Sequence, residues 1–349
     1  MSRTRNPRLR WAVPAVVAFT VAGAVLATGA SADPTPVGLA PRTAAELLTD
    51  LAAPTTGALS GTLTETANLG LPELPGSAGN TLGPLTLTAG TNTLRVWADG
   101  PTKSRVALQG RLAEYDVVRS GHDVWTWSNK TSEAAHLVLP ERTGTHQVPL
   151  GVPGTPAEVA AAALAAVDPS TEVSVDSAVT VAGREARQLV LTPKGSGSLV
   201  GSVRIAVDAA TNVPLRVQLF AAGSATRPAL EVGFSDISYG RPDPSVFTFT
   251  PPAGATVRQL TPPVRPAAGT PSPRGARPTV IGTGWTSVVE LAGVDVAALT
   301  QGQPKRLDQL TTRVAKGRVL STALVSVLLT DDGRVLVGAV PAAALEAAA

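Results

Sequence analysis

SVRIAVDAATNVPLRVQLF, residues 202–220, decides the fold. Val203, Ile205 and Val207, then Leu215, Val217 and Leu219, alternate with polar or small residues, which is the period of strands with one buried face. Asp208 to Asn212 supplies turn chemistry between the two rows, so the stretch predicts a β-hairpin. FSDISYGRPDPSVFTFTPPAGA, residues 234–255, follows and closes the same sheet.

Upstream, five further runs carry strand signals at the short spacing of an antiparallel meander: TLRVWADG, KSRVALQG, AEYDVVRSG, HDVWTWSN and AAHLVLP. Asp99-Gly100 and Ser120-Gly121 punctuate them. Gly57 to Thr66 predicts an earlier strand, and Ala67 to Gly90 a Leu-rich interruption, either a functional loop or an irregular hairpin packed on the core. Strands are also expected at Glu172 to Val181, Glu185 to Thr192, Ala229 to Ser235 and Ser245 to Thr250. Two capping boxes open helices: Thr43-Ala44-Ala45-Glu46, followed by Leu47, Leu48 and Leu51 on one face, and Thr155-Pro156-Ala157-Glu158, followed by an Ala-rich run to Val167. Pro251 to Pro278 is Pro-, Gly-, Ala- and Arg-rich and predicts a linker centred on 258–280. Residues 281–349 predict a small α+β piece, with a strand Trp285 to Leu291, a helix around Arg306 to Val314 and two apolar runs, Val319 to Leu329 and Val335 to Val340. Asp331-Asp332-Gly333 hinges those runs as a hairpin turn, although the first run also suits a helix.

The chain has 349 residues, 44% hydrophobic but only 3% aromatic, so Val, Leu and Ala must build most of its core. The Ala, Gly, Pro and Arg usage suggests a high-GC bacterial genome. Arg3, Arg5, Arg8 and Arg10 precede an apolar run from Trp11 to about Ala30, and Ala30-Ser31-Ala32 fits a cleavage site; residues 1–32 predict a secretory signal, cleaved or retained as an anchor. Without those four arginines the formal charge of +3 becomes −1. A nucleic-acid partner therefore has no electrostatic basis. Zero cysteines exclude disulfides and a lipid-modified N-terminal cysteine. The expected location is extracytoplasmic, in the cell envelope.

No catalytic constellation emerges. His122, His136 and His146 lack a second ligand type at coordinating spacing, which argues against a metal. There is no G-x-S-x-G elbow, and Gly195, Gly197 and Gly201 precede a strand rather than open a helix, so neither a serine hydrolase of that kind nor a phosphate loop is indicated, and no cofactor is expected. Glu114, Asp116, Asp123, Glu231 and Asp236 read as solvent-face acids.

Function is then a matter of surface. Ten or eleven strands at about 4.8 Å spacing make a sheet about 50 Å across, whereas each helix is only about 17 Å long. Either the sheet curls onto itself as an ordinary core, or its apolar face is a cavity roofed by helices. On the second reading the wall comprises Leu94 and Val96, Val106 and Leu108, Tyr115 and Val117, Trp125 and Trp127, Leu189 and Leu191, and from the opening hairpin Val203, Ile205, Leu215, Val217 and Leu219. The lid comprises Leu47, Leu48, Leu51, Val159 and Leu164. Burying about 300 Å² of acyl surface corresponds to roughly 7 kcal/mol before ordering costs.

The order of signal, helix, meander, second helix and returning strands, with VDAATNVPLRVQLF and the Phe247-Thr248-Phe249-Thr250-Pro251-Pro252 ending, resembles the LolA-like superfamily of exported lipoprotein carriers and the N-terminal domain of RseB/MucB sigma-factor regulators, in an actinobacterial form. The resemblance spans about Pro41 to Val257. It implies that residues 33–257 form an incomplete β-barrel with a helical lid, that the partner is a lipid or the acyl chain of a lipoprotein, and that the protein is not an enzyme. A regulatory sensor binding a membrane partner protein is the alternative, with a secreted hydrolase behind both. The carriers keep an Arg in an early strand to fasten the lid, and Gly57 to Thr66 has none.

Overall fold

The computed structural model describes residues 39–52, 57–71, 90–110, 113–139, 155–165, 167–260, 278–292 and 309–349. The signal-like segment 1–32, His146, most of the Ala67 to Gly90 interruption and residues 261–277 lie outside them. Helix α1 (Ala44–Ala52) precedes β1 (Leu59–Ala67) and a meander of β2 (Gly90–Ala98), β3 (Lys103–Gln109), β4 (Glu114–Ser120), β5 (Asp123–Ser128) and β6 (Glu133–Val138). Helix α2 (Pro156–Ala165) leads to β7 (Thr171–Val181), β8 (Arg184–Pro193), β9 (Val200–Asp208), β10 (Pro214–Ala221), β11 (Leu230–Tyr239) and β12 (Thr256–Leu260). A second set follows: β13 (Thr279–Ile281), β14 (Val288–Ala292), β15 (Thr312–Val314), β16 (Gly317–Ser321), β17 (Ser326–Thr330), β18 (Arg334–Gly338) and α3 (Ala342–Ala348).

The first twelve strands form one sheet in the order β12-β6-β5-β4-β3-β2-β1-β11-β10-β9-β8-β7, an open ladder with β12 and β7 at its two edges. All its pairings are antiparallel except β12 on β6. The other six strands form a separate sheet, β13-β14-β18-β17-β16-β15. The expected architecture, a curved antiparallel sheet with short helices and a small second α+β piece, is the one observed.

The hairpin of residues 202–220 is β9 and β10. Val203 faces Leu219 and Ile205 faces Val217, as alternation requires, but a bulge between Pro214 and Arg216 takes Leu215 out of the row. The turn is built by Asp208, whose carboxylate accepts the backbone N–H groups of Ala210 and Thr211, both at 2.9 Å, while Asn212 takes φ 57°, a left-handed conformation that Asn tolerates. Asp208 is only 1% exposed and is held by both guanidinium arms of Arg184 and by the Tyr239 hydroxyl at 3.3 Å. Burial pushes its carboxyl up, but Arg184 and the turn amides outweigh burial and hold it below the usual carboxylate range. Arg184→Ala leaves that buried charge short of its partner. The expected loss is roughly 2–3 kcal/mol, reduced from the fully buried case because Arg184 itself is one-third exposed. Urea unfolding at pH 7 reads it as a lower midpoint with unchanged slope.

Residues directly opposite across a ladder share a face, so the register traces the apolar face across the sheet. One rung runs Leu189, Ile205, Val217, Val232, Glu65, Asn92. The next runs Phe234, Leu63, Leu94, Leu108, Tyr115. The buried apolar side chains fall into two cores. In one, Leu63, Leu94, Val96, Leu108 and Phe234 pack with Ala186, Ala206, Val213 and Leu215 from the far part of the same sheet, with Val106 and Tyr115 alongside. In the other, Leu189, Leu191, Val203, Ile205 and Val217, with Leu219 alongside, pack under the helices. The sheet's own strands thus cover one core, and short helices cover the other.

Several expectations fail for identifiable reasons. Trp125 and Trp127 do not share the face of Val117: Val117 is opposite Thr126, while Trp125 is opposite Val118 and Trp127 opposite Asp116. They lie on the outer face, where Trp125 stacks on His136 at 4.2 Å and both approach Phe249. Asp116 is not a solvent-face acid; it is 3% exposed and pairs with Arg105 at 3.0 Å. Ser245 to Thr250 is no strand, because Asp243 caps a 3-10 turn at Pro244–Phe247 that buries Phe247. Thr256–Leu260, at the start of the expected linker, pairs with β6 despite its polar composition. Of the expected helix at Arg306 to Val314, residues 306–308 lie outside the described residues and Thr312–Val314 is strand β15; the run Val319 to Leu329 is split by the turn at Thr322, whose backbone N–H and hydroxyl both reach the carbonyl of Val325. The Asp331-Asp332-Gly333 hairpin forms as expected, with Gly333 at φ 83°.

Candidate functional site

The site is the helix-roofed half of the apolar face. Its floor is the six side chains Leu189, Leu191, Val203, Ile205, Val217 and Leu219, of which all but Leu219 are at most 1% exposed. The remaining wall residues expected from the sequence, Leu94, Val96, Val106, Leu108, Tyr115 and Leu215, belong to the half packed against its own sheet, and Val117 is buried outside both clusters.

All five expected lid residues, Leu47, Leu48, Leu51, Val159 and Leu164, pack on that floor. The roof is assembled from short, separate pieces. Helix α1 has 9 residues and α2 has 10, about 14 and 15 Å, so each crosses only about three strands. The α1 capping box is in place, with Thr43 N–H donating to Glu46 at 2.7 Å and Glu46 N–H returning to the Thr43 hydroxyl at 3.3 Å. Arg42 donates to Asp50 at 2.5 Å and lies in a shallow outer pocket with Glu46 and Thr49. Ahead of α1, Arg187 on β8 donates to the carbonyl of Ala40 at 3.2 Å and to that of Ala209 at 3.2 Å. Arg187 thus ties the segment ahead of α1 to β8 through backbone carbonyls.

The second sheet completes the roof. Leu324, 5% exposed, enters the roofed core with Ala323, Val325, Trp285 and Ala339 alongside. Ala323 N–H donates to Leu69 O at 2.9 Å, Leu199 N–H to Ala339 O at 2.7 Å, and the Trp285 indole N–H to the Thr171 hydroxyl at 2.8 Å. Gly284, at φ 62°, sits so close to the turn after α2 that a Cβ there lies 2.6 Å from the Ser170 hydroxyl.

One polar group faces the same side. Glu65 is 1% exposed, and Asn92 donates to it at 2.7 Å. Burial pushes its carboxyl up to about 7, against the hydrogen bond from Asn92, which pulls it down. The alternation Leu63, Glu65, Ala67 in the sequence already places a carboxylate on the inward parity of β1. Among the described residues no group of three His, Cys, Asp or Glu side chains is arranged to hold a metal, and no helix is long and apolar enough to cross a membrane.

No family model matches the chain, and no curated protein matches it. Solved structures do. The Pseudomonas aeruginosa MucA/MucB complex aligns over 87% of this chain and 96% of that one, at 17% identity and TM-score 0.46. A conserved protein from Thermus thermophilus aligns over 62% and 99%, at 13% identity and TM-score 0.36. A LolA superfamily protein from Nitrosomonas europaea aligns over 60% and 99%, at 13% identity and TM-score 0.25.

Proposed function

We propose that the protein is an extracytoplasmic, non-enzymatic carrier that holds a lipid or the acyl chain of a lipoprotein between the floor of β8 to β10 and the roof of α1 and α2. The observation that carries this is the construction of the roof from pieces outside the sheet: lifting α1 breaks no strand ladder. Helix α1 docks through one fully and two partly buried leucines. At about 2 kcal/mol per buried leucine, its release costs about 4 kcal/mol, less than the roughly 7 kcal/mol available from 300 Å² of acyl surface. An occupied site therefore offsets its own opening. Mass spectrometry of gently isolated protein is expected to show co-purifying lipid that is lost when Ile205 is replaced by Asp. Lipid-free wild-type protein with an unchanged core contradicts the reading.

A regulatory module is the second reading. Its specific support is Val280, 48% exposed on the edge strand β13 of the second sheet, where an unpaired strand edge offers a place for a membrane partner's segment. Val280→Pro is then expected to abolish partner recovery from envelope membranes while the unfolding curve stays as in wild type; undiminished recovery counts against it. Removing residues 279–349 is not an equivalent test, because it strips Leu324 from the first sheet's core.

A further inference from the structure

The rung Leu189, Ile205, Val217, Val232 is apolar and at most 2% exposed in every member, and it ends on Glu65 and Asn92. A chain laid along that rung over the roofed floor meets a carboxylate at its end. We propose that Glu65 and Asn92 are the head-group end of the site and that the ligand is an aminolipid, an alkyl chain bearing a primary ammonium. This deepens the acyl-chain reading and rests on it. The argument is charge complementarity: among the described residues no basic side chain pairs with Glu65, so its ionised form is a buried charge whose counter-charge those residues do not supply. An ammonium supplies three donors and the missing charge, and the Asn92 side chain fixes the orientation of the carboxylate that receives them.

The groups around Glu65 do not compete for it. Its partners across the ladder are Val232 and Asn92, and Leu63 and Ala67 are its neighbours on that face of β1. Of the charged groups on the elements packed over the face, Arg42, Glu46 and Asp50 engage one another at α1, Glu158 caps α2 through Thr155, and Arg187 donates to backbone carbonyls. The ammonium of an alkylamine stays protonated below about pH 10, whereas Glu65, pushed up to about 7, is mostly neutral at pH 6 and mostly ionised at pH 8.

Calorimetric titration with decylammonium, decanol and decanoate at pH 6 and pH 8 tests this in wild type and Glu65→Gln. Wild type is expected to bind decylammonium at least tenfold tighter than decanol at pH 8, to lose about tenfold of that affinity at pH 6, where binding must release a proton, and to disfavour decanoate. Glu65→Gln is expected to keep decanol binding, which shows an intact site, and to lose the preference. Equal affinity of wild type for decylammonium and decanol, or a preference that survives Glu65→Gln, overturns the head-group assignment and leaves the acyl-chain reading standing. No binding of any of the three overturns both.

Discussion

Glu65→Gln is expected to stabilise the protein at pH 8 and to do little at pH 5. Glu65 has a folded-state value of about 7 against an ordinary 4.5, so the folded chain binds more protons than the unfolded chain between those values, and stability falls as pH rises through that window. Between pH 5 and pH 8 the wild type loses about 2 kcal/mol from this one group, and Gln, neutral throughout, does not. Glu114, also pushed up by burial and by the charge of Asp116, adds a smaller slope in the same direction that both proteins share. Asp208, Asp243 and Asp332, held below the usual range, add stability that is lost only at more acidic pH. The difference between the two urea curves at pH 5 and pH 8 therefore isolates Glu65. Parallel pH dependence in the two proteins contradicts a carboxyl buried on this face.

The second large effect is expected at Leu324. This residue sits in the second sheet's turn but is buried in the first sheet's core, with Leu47, Ala160 and Leu191 in the same cluster. Leu324→Ala removes a buried isobutyl group at a place where the two sheets must both adjust, and the expected cost is about 2–4 kcal/mol. Because the core is shared, the wild type is expected to unfold both sheets in one calorimetric transition, and Leu324→Ala to lower that transition or divide it. A loss under about 1 kcal/mol, or two independent transitions in the wild type, contradicts a shared core.

What could be read from the sequence was whatever alternation and capping encode locally. The hairpin of β9 and β10, the meander and both capping boxes stand where the pattern places them, because a strand with one buried face and a helix start each leave a mark within a few residues. The inward faces of α1 and α2, Leu47, Leu48, Leu51, Val159 and Leu164, were legible for the same reason. What alternation does not encode is the partner of each face. Trp125 and Trp127 alternate as cleanly as Tyr115 and Val117, and only the register, Val117 opposite Thr126, shows that the two pairs point to opposite sides. Leu215 left its row through a bulge that Pro214 gives no local sign of. The contribution of Leu324 was invisible because it crosses from one sheet to the other, and Asp116 looked solvated because its ion-pair partner, Arg105, stands on the neighbouring strand rather than in its own run. Glu65 was legible in principle, as a charged residue on the inward parity of a strand, and is the position where the local pattern and the buried environment disagree most. Such disagreements concentrate at sites that do something.

The central claim is that an acyl chain lies between the floor of β8 to β10 and the roof of α1 and α2. Photo-crosslinking with a diazirine-bearing alkyl probe, followed by peptide mapping, tests it most directly. Labelling is expected to saturate, to be competed away by unmodified lipid, and to fall on the peptides carrying Leu189, Ile205 and Val217 and on those carrying Leu47 and Leu164. Labelling that falls instead on the outer face around Trp125 and Trp127, or that lipid does not compete away, contradicts the claim.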